Sequence, residues 1–214
     1  MKTALIAGYT GLVGQEVLKI LLSSKKYSRV IALGRRKIDL THPKLEQQIV
    51  DFNSLQIAEK IDVVFCCLGT TIKQAGSKEN FRLVDFQFPL NLALTAKQQG
   101  ADAFLIITAM GAKKSSMFFY NRVKGEVEEA LEHLEFNKLE VLRPSLLLGK
   151  RQDSRILESL SIYFMKLLGF LFIGPLKNFK GIHAAAVARA MVYFANDGSA
   201  GRRIHYSGVL QRFC

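Results

Sequence analysis

The chain has no tryptophan, and only three cysteines and four prolines among its 214 residues. Cys66 and Cys67 stand side by side in an apolar run and Cys214 closes the sequence, which gives neither a disulfide framework nor the ligand spacing of a metal site. A reducing compartment is expected, and the cytoplasm in particular. Internal repeats and low-complexity tracts are lacking as well, which excludes solenoid and disordered chains. The opening "MKTALIAGYTG" has too short an apolar core to read as a secretion signal. The most hydrophobic stretch, "SIYFMKLLGFLFIGPL" (161–176), contains Lys166 and ends at Gly-Pro, so it is short for a bilayer span. It reads as a buried helix or a cover on the substrate side, with peripheral membrane contact as the lesser alternative.

What is present suits a compact protein: 49% hydrophobic and 22% charged residues, enough for one domain with its own core. The formal charge of +12, from 30 Lys and Arg against 18 Asp and Glu, would attract anions. That charge is spread over short runs such as "SSKKYSR" and "AKKSS", without the basic and aromatic stripe on which nucleic-acid bases stack. No nucleic-acid partner is expected. One basic cluster, "GRRK" (34–37), has a more specific reading, given below.

Apolar runs alternate with helical periods along the chain. "TALIA" (3–7), "RVIALG" (29–34), a weaker "QQIV" (47–50), "DVVFCCLG" (62–69), "AFLIITAM" (103–110) and "LEVLRPSLLLG" (139–149) read as strands. Between them lie helical segments at "LVGQEVLKILLSS", at about 79–99 and at "FFYNRVKGEVEEALEHL" (118–134). Continuous apolar strands separated by helices belong to a parallel sheet covered on both faces. The predicted fold is α/β: a doubly wound, mostly parallel Rossmann-like sheet with helices on both faces and a small irregular C-terminal region on the substrate side. One domain spans 1–214, with its core at about 1–150 and the substrate-side portion at about 151–214, including a helix at 183–196.

The first strand runs into "GYTGLVG", a loop of Gly8, Tyr9, Thr10, Gly11, Leu12, Val13 and Gly14. Glycines let the chain turn sharply and bring backbone against a pyrophosphate, and the helix that follows aims its unpaired N–H groups at the phosphates. Three glycines alone are a weak signal; between a strand and a helix, with a second strand after, they point to a dinucleotide. About twenty residues on, where an acid would accept the adenosine ribose hydroxyls, the chain offers Arg35 and Arg36. Two guanidinium groups suit a 2′-phosphate, so NADP(H) is the expected cofactor. Asp51 and Phe52 close the third strand; the carboxylate can accept the adenine amino group or cap the next helix, and the ring can lie beside the base.

Ligands in such sheets lie beyond the carboxyl ends of the strands. Thr108 stands at the end of the fifth. Tyr120 and Lys124, four residues apart, share one face of the helix that follows. A phenol with a pKa near ~10 is a poor acid at neutral pH, and an adjacent ammonium lowers that value. Tyr120 can then give a proton to a carbonyl oxygen as hydride arrives at carbon, with Lys124 supplying the charge and the Thr108 hydroxyl orienting the oxygen.

These residues carry a family resemblance. "GYTGLVG", "YNRVK" and "RPSLLLG" resemble the short-chain dehydrogenase/reductase superfamily in its atypical, extended-like branch. "CCLGTTIKQAG", "KGEVEEAL" and "VLRPSLLLGKRQDSR" are similar to the Tat-interacting-protein oxidoreductase group and its bacterial relatives. The resemblance implies a Rossmann-like domain, NADP(H), a Ser/Thr, Tyr and Lys catalytic set, and a pocket wall at Leu68, Gly69 and Thr70. Where relatives show a serine pair after the fifth strand this chain has Thr108 and Ala109, so Thr108 replaces the first serine and nothing replaces the second. The expected function is reduction of a small carbonyl compound by a monomer or homodimer. The alternative is an NADPH-sensing regulatory or scaffold protein with the same pocket and little turnover. No metal is expected.

Overall fold

A computed structural model of the chain describes residues 1–148 and 181–214. The hydrophobic stretch at 161–176 lies outside the described residues. A seven-stranded parallel sheet forms the centre: β1 (Lys2–Ala7), β2 (Tyr27–Gly34), β3 (Leu45–Ile49), β4 (Val63–Cys66), β5 (Ala103–Ile107), β6 (Lys138–Arg143) and β9 (Gly201–Tyr206). Two short strands, β7 (Leu147–Leu148) and β8 (Ile182–His183), pair with each other beside it. The spatial order is β3-β2-β1-β4-β5-β6-β9, so the winding reverses between β1 and β4. A crevice at the carboxyl ends of those two strands follows from that reversal.

Both faces of the strands are apolar because both are covered. Ala4, Ile6, Val30, Ala32, Val63 and Phe65 point to one side. There they meet α1 (Leu12–Ser23), through Val13, Val17 and Leu21, and α6 (Ala184–Phe194), through its small residues and Met191. Leu5, Ile31, Leu33, Val64 and Cys66 point to the other. That face is covered by α4 (Phe88–Gln98) and α5 (Phe119–Glu132). The alternation along each strand assigns neighbours to opposite cores.

The helical segment expected at 79–99 is built in three pieces. After a short α2 (Ile72–Ala75), α3 (Lys78–Arg82) passes through a π-helical turn at Leu83–Gln87 before α4 begins. Pro89 opens α4 and has no N–H to return to the carbonyl of Asp85, one turn earlier. The widened turn is accommodated there, and it holds Asp85, which is 1% exposed.

The C-terminal region departs from the irregular structure expected of it. α6 packs on α1, and β9 extends the main sheet in parallel register with β6, from Lys138↔Gly201 to Arg143↔Tyr206. The run "GRRIHY" is too polar to read as a strand. Two of its polar side chains find a partner across the sheet: Glu140 on β6, fully buried, pairs with both Arg203 and His205, and Asp197 pairs with Arg203 as well. A short α7 (Ser207–Leu210) follows.

Candidate functional site

The glycine loop has the tight geometry its sequence implies. Gly8 has φ of +81°, and a Cβ there would lie 2.4 Å from the carbonyl oxygen of Cys67, so the loop is packed against the end of β4. A Cβ on Gly14 would lie 2.1 Å from the Gly8 carbonyl oxygen, which lets α1 sit directly on the turn. Gly11 is the N-cap of α1, a 12-residue helix whose first N–H groups receive no side-chain cap. Gly8, Thr10 and Gly11 line one wall of the cleft and Leu68 and Gly69 the opposite one. Phe52 (3% exposed) also lines the cleft, its ring stacked on Phe88 at 5.4 Å.

Other members of the predicted set have different positions. Val13 is in the core and Leu12 is half-buried against it. Asp51 is exposed, and its Oδ1 accepts from the backbone N–H and the side-chain amide of Asn53, both at 2.9 Å. No helix follows at 52–61, so the carboxylate holds a local turn and the helix-cap reading is not met. Tyr9 is the clearest correction among the loop residues: its side chain is fully buried under the end of β2 rather than set in the cleft wall.

Arg35 lines the cleft and Arg36 lies exposed beside it. Neither forms an ion pair with a carboxylate among the described residues. Guanidinium groups so placed have N–H donors that a planar anionic group can accept bidentately.

The far wall carries buried charge. Lys124 and Asp85 are 5% and 1% exposed, and the ammonium lies 2.7 Å from Oδ1. The two form a buried ion pair. The other oxygen, Oδ2, accepts from the backbone N–H of Thr70 at 2.9 Å. Burial alone would lower the pKa of Lys124. The Asp85 carboxylate, with smaller contributions from Tyr120 and Cys66, outweighs it and leaves the lysine above its ordinary value. Lys124 is therefore an ammonium ion across the physiological range. Tyr120 is half-buried, its ring tilted against fully buried Phe81 at 5.3 Å. A Cβ on Gly69 would lie 3.4 Å from Asp85 Oδ1 and 3.7 Å from Lys124 Nζ, so the cleft wall and this ion pair are in contact.

Thr108 corrects a second expectation. It is 6% exposed, and its hydroxyl donates to Glu128 Oε1 at 2.6 Å, inside a network that Arg143 completes from β6. Its one proton is committed to a buried carboxylate, so it has no donor left to orient a substrate oxygen. Neither adjacent cysteine offers a reactive thiolate: burial pushes Cys66 up to about 12 and Cys67 well above its ordinary value.

Sequence reasoning passed over Asp85, Glu128 and Arg143. Glu128 had a signal, since Tyr120, Lys124 and Glu128 recur every four residues on one helix face. Asp85 had a fainter one, an acid among Leu83, Val84, Phe86 and Phe88. Arg143 is an arginine at the end of an apolar strand, and nothing local marks it.

Fold and cleft together define a Rossmann-type α/β protein with a dinucleotide-shaped loop at its switch point. The chain belongs to the HIM1 family, whose model matches residues 20–170. It is 40% identical over 161 residues to the rat protein HTATIP2, covering 72% of this chain and 66% of that one. It is 32% identical over 212 residues to "Protein FMP52, mitochondrial" of Lodderomyces elongisporus, covering 92% and 88%. These matches bear out the resemblance carried by the sequence motifs. They overturn the cytoplasmic expectation, because the fungal relatives at 32–37% identity are named mitochondrial proteins.

Solved structures share the fold. MoeE5 in complex with UDP-glucose and NAD superposes with a TM-score of 0.71 at 15% identity, over 94% of this chain and 74% of that one. A short chain dehydrogenase family protein from Francisella tularensis does so with a TM-score of 0.65 at 12% identity, over 99% of both.

Proposed function

We propose that this chain is an NADP(H)-dependent oxidoreductase of the short-chain dehydrogenase/reductase type that reduces a small carbonyl compound. The observation that supports it most is the continuity of the cleft. Gly69, which lines the same cleft as Arg35 and the glycine loop, would place a Cβ 3.7 Å from Lys124 Nζ, one helical turn from Tyr120. The residues fit a dinucleotide: glycines where a Cβ would collide, an uncapped helix start for the pyrophosphate, and unpaired guanidinium groups for a 2′-phosphate. The cofactor, when bound, supplies hydride.

The chain's own part is to bind and to move a proton. Arg35 and Arg36 take the phosphate, Phe52 flanks the base, and Leu68, Gly69 and Thr70 confine the middle of the ligand. Tyr120 gives its hydroxyl proton to the carbonyl oxygen, and the Lys124 ammonium favours the phenolate left behind. Thr108, its hydroxyl bound to Glu128, takes no part in this step. A mitochondrial address is the extension that the fungal relatives' names support.

The test is NADPH oxidation by purified protein over a panel of aldehydes, ketones and quinones. Turnover should fall at least a hundredfold in Tyr120→Phe, the usual scale of a general acid. Turnover indifferent to that substitution rejects the proton-donor role. One observation favours a second reading, a sensor with the same pocket and little catalysis: the Thr108 hydroxyl is already occupied by Glu128. A protein that binds NADPH but turns over nothing in the panel belongs to that reading.

A further inference from the structure

The segment between β2 and β3 that carries both arginines is irregular, and two buried or half-buried side chains from elsewhere hold its backbone. Tyr9 leaves the glycine loop and runs beneath the end of β2, where a Cβ on Gly34 would lie 2.8 Å from its ring. Its hydroxyl donates to the carbonyl of Arg36 at 2.6 Å. Burial raises the pKa of this phenol, with Arg36 pulling the other way, so the group keeps its proton and remains a donor at neutral pH. Gln47, on β3, accepts from the N–H of Ile38 at 2.8 Å and donates to the carbonyls of Ile38 and Leu40, both at 3.0 Å. The Tyr9 hydroxyl also lies 3.4 Å from Gln47 Oε1, so the two clamps meet.

An irregular loop must satisfy its backbone groups with water or with side chains. Here side chains do it, and they do so at the residues that follow Arg35. The guanidinium groups are exposed while the backbone beneath them is held, which is how a flexible side chain is presented at a fixed place.

We propose that Tyr9 and Gln47 are positioning residues for cofactor choice: they hold the arginine loop where a phosphate on the adenosine ribose is met, and so set the preference for the phosphorylated dinucleotide. This rests on the NADP(H) reading above. Neither side chain touches the ligand; each acts through the backbone of residues 36–40. The contribution is specific to the extra phosphate, because the glycine loop and Phe52 serve both dinucleotides alike.

The experiment is fluorescence or calorimetric titration of wild type, Tyr9→Phe and Gln47→Met with NADPH, NADH, adenosine 2′,5′-bisphosphate and 5′-AMP, with hydrogen exchange followed at the amides of residues 36–40. Tyr9→Phe keeps the ring and loses one hydrogen bond. It should weaken NADPH and the bisphosphate by roughly three- to tenfold, leave NADH and 5′-AMP within about twofold, and speed exchange in the loop. Gln47→Met should do the same. Equal loss for phosphorylated and unphosphorylated ligands, or no loss for either, overturns the proposal. Should one variant fail to fold, the other decides. A wild type that prefers NADH rejects the NADP(H) reading itself, and unchanged loop exchange in a folded variant rejects the clamp independently of any ligand.

Discussion

The two halves of the sheet treat charge in opposite ways. On the near half, β1 to β3 with the glycine loop, no charged side chain is buried among the described residues, and the two arginines at the cleft have no carboxylate partner. On the far half, Asp85, Lys124, Glu128, Lys138 and Glu140 are all buried, and each is paired. Burying an ion is tolerable only with a counter-ion in good geometry. The far half therefore has its electrostatics set by the fold. The near half pairs Arg29 with Glu46 and Glu59 near the surface and leaves Arg35 and Arg36 exposed without a carboxylate partner among the described residues.

The contrast is broken most directly at Lys124. Lys124→Met strands the Asp85 carboxylate in the interior, and urea unfolding should show a loss of about 3–5 kcal/mol. Adding Asp85→Asn should return much of it, since two neutral groups leave no orphaned charge. A loss below about 1 kcal/mol in the single variant would mean that the pair is not set by the fold.

A smaller effect is expected at the β6–β9 edge. Burial would raise the pKa of Asp197, but hydrogen bonds from Lys138, Ser199 and Arg203 outweigh it and hold the carboxyl well below its ordinary range. A depressed carboxyl contributes stability above its unfolded pKa, about 3.9, and loses it as pH falls toward the folded value. Melting temperatures followed from pH 7 to pH 3 should drop less steeply below pH 4 in Asp197→Asn than in wild type. Parallel acid limbs would remove Asp197 from the account.

The smallest change in stability should come from the near half. Arg35→Ala should alter unfolding free energy by no more than about 0.5 kcal/mol, as for an exposed side chain without a partner. In a titration, however, it should lower NADPH affinity more than NADH affinity. If it destabilised the fold as much as Lys124→Met, the two halves would not differ in the way described.

Much of this was legible from local pattern. The strand and helix alternation, the turn at Gly8 and the spacing of Tyr120 and Lys124 are short-range features, and the sheet is built as they imply. β9 was not legible, because Arg203 and His205 look like surface until Glu140 stands opposite. Thr108 was placed correctly at the end of β5 but given a free hydroxyl, since Glu128 lies twenty residues away in sequence. Tyr9 sits within the glycine loop, and nothing in "GYTG" reveals that its ring turns inward beneath Gly34.

The order of residues by itself determined the layered parallel sheet, the glycine turn at its switch point and the basic pair twenty residues on, because periodicity and backbone freedom act over a few positions. Only the tertiary structure decided which charges are paired and which are left open. Asp85 meets Lys124, Thr108 meets Glu128 and Tyr9 meets the Arg36 carbonyl across 39, 20 and 27 positions. Hydrogen bonds and buried ion pairs depend on distance in space, and that distance exists only once the sheet has brought its strands together.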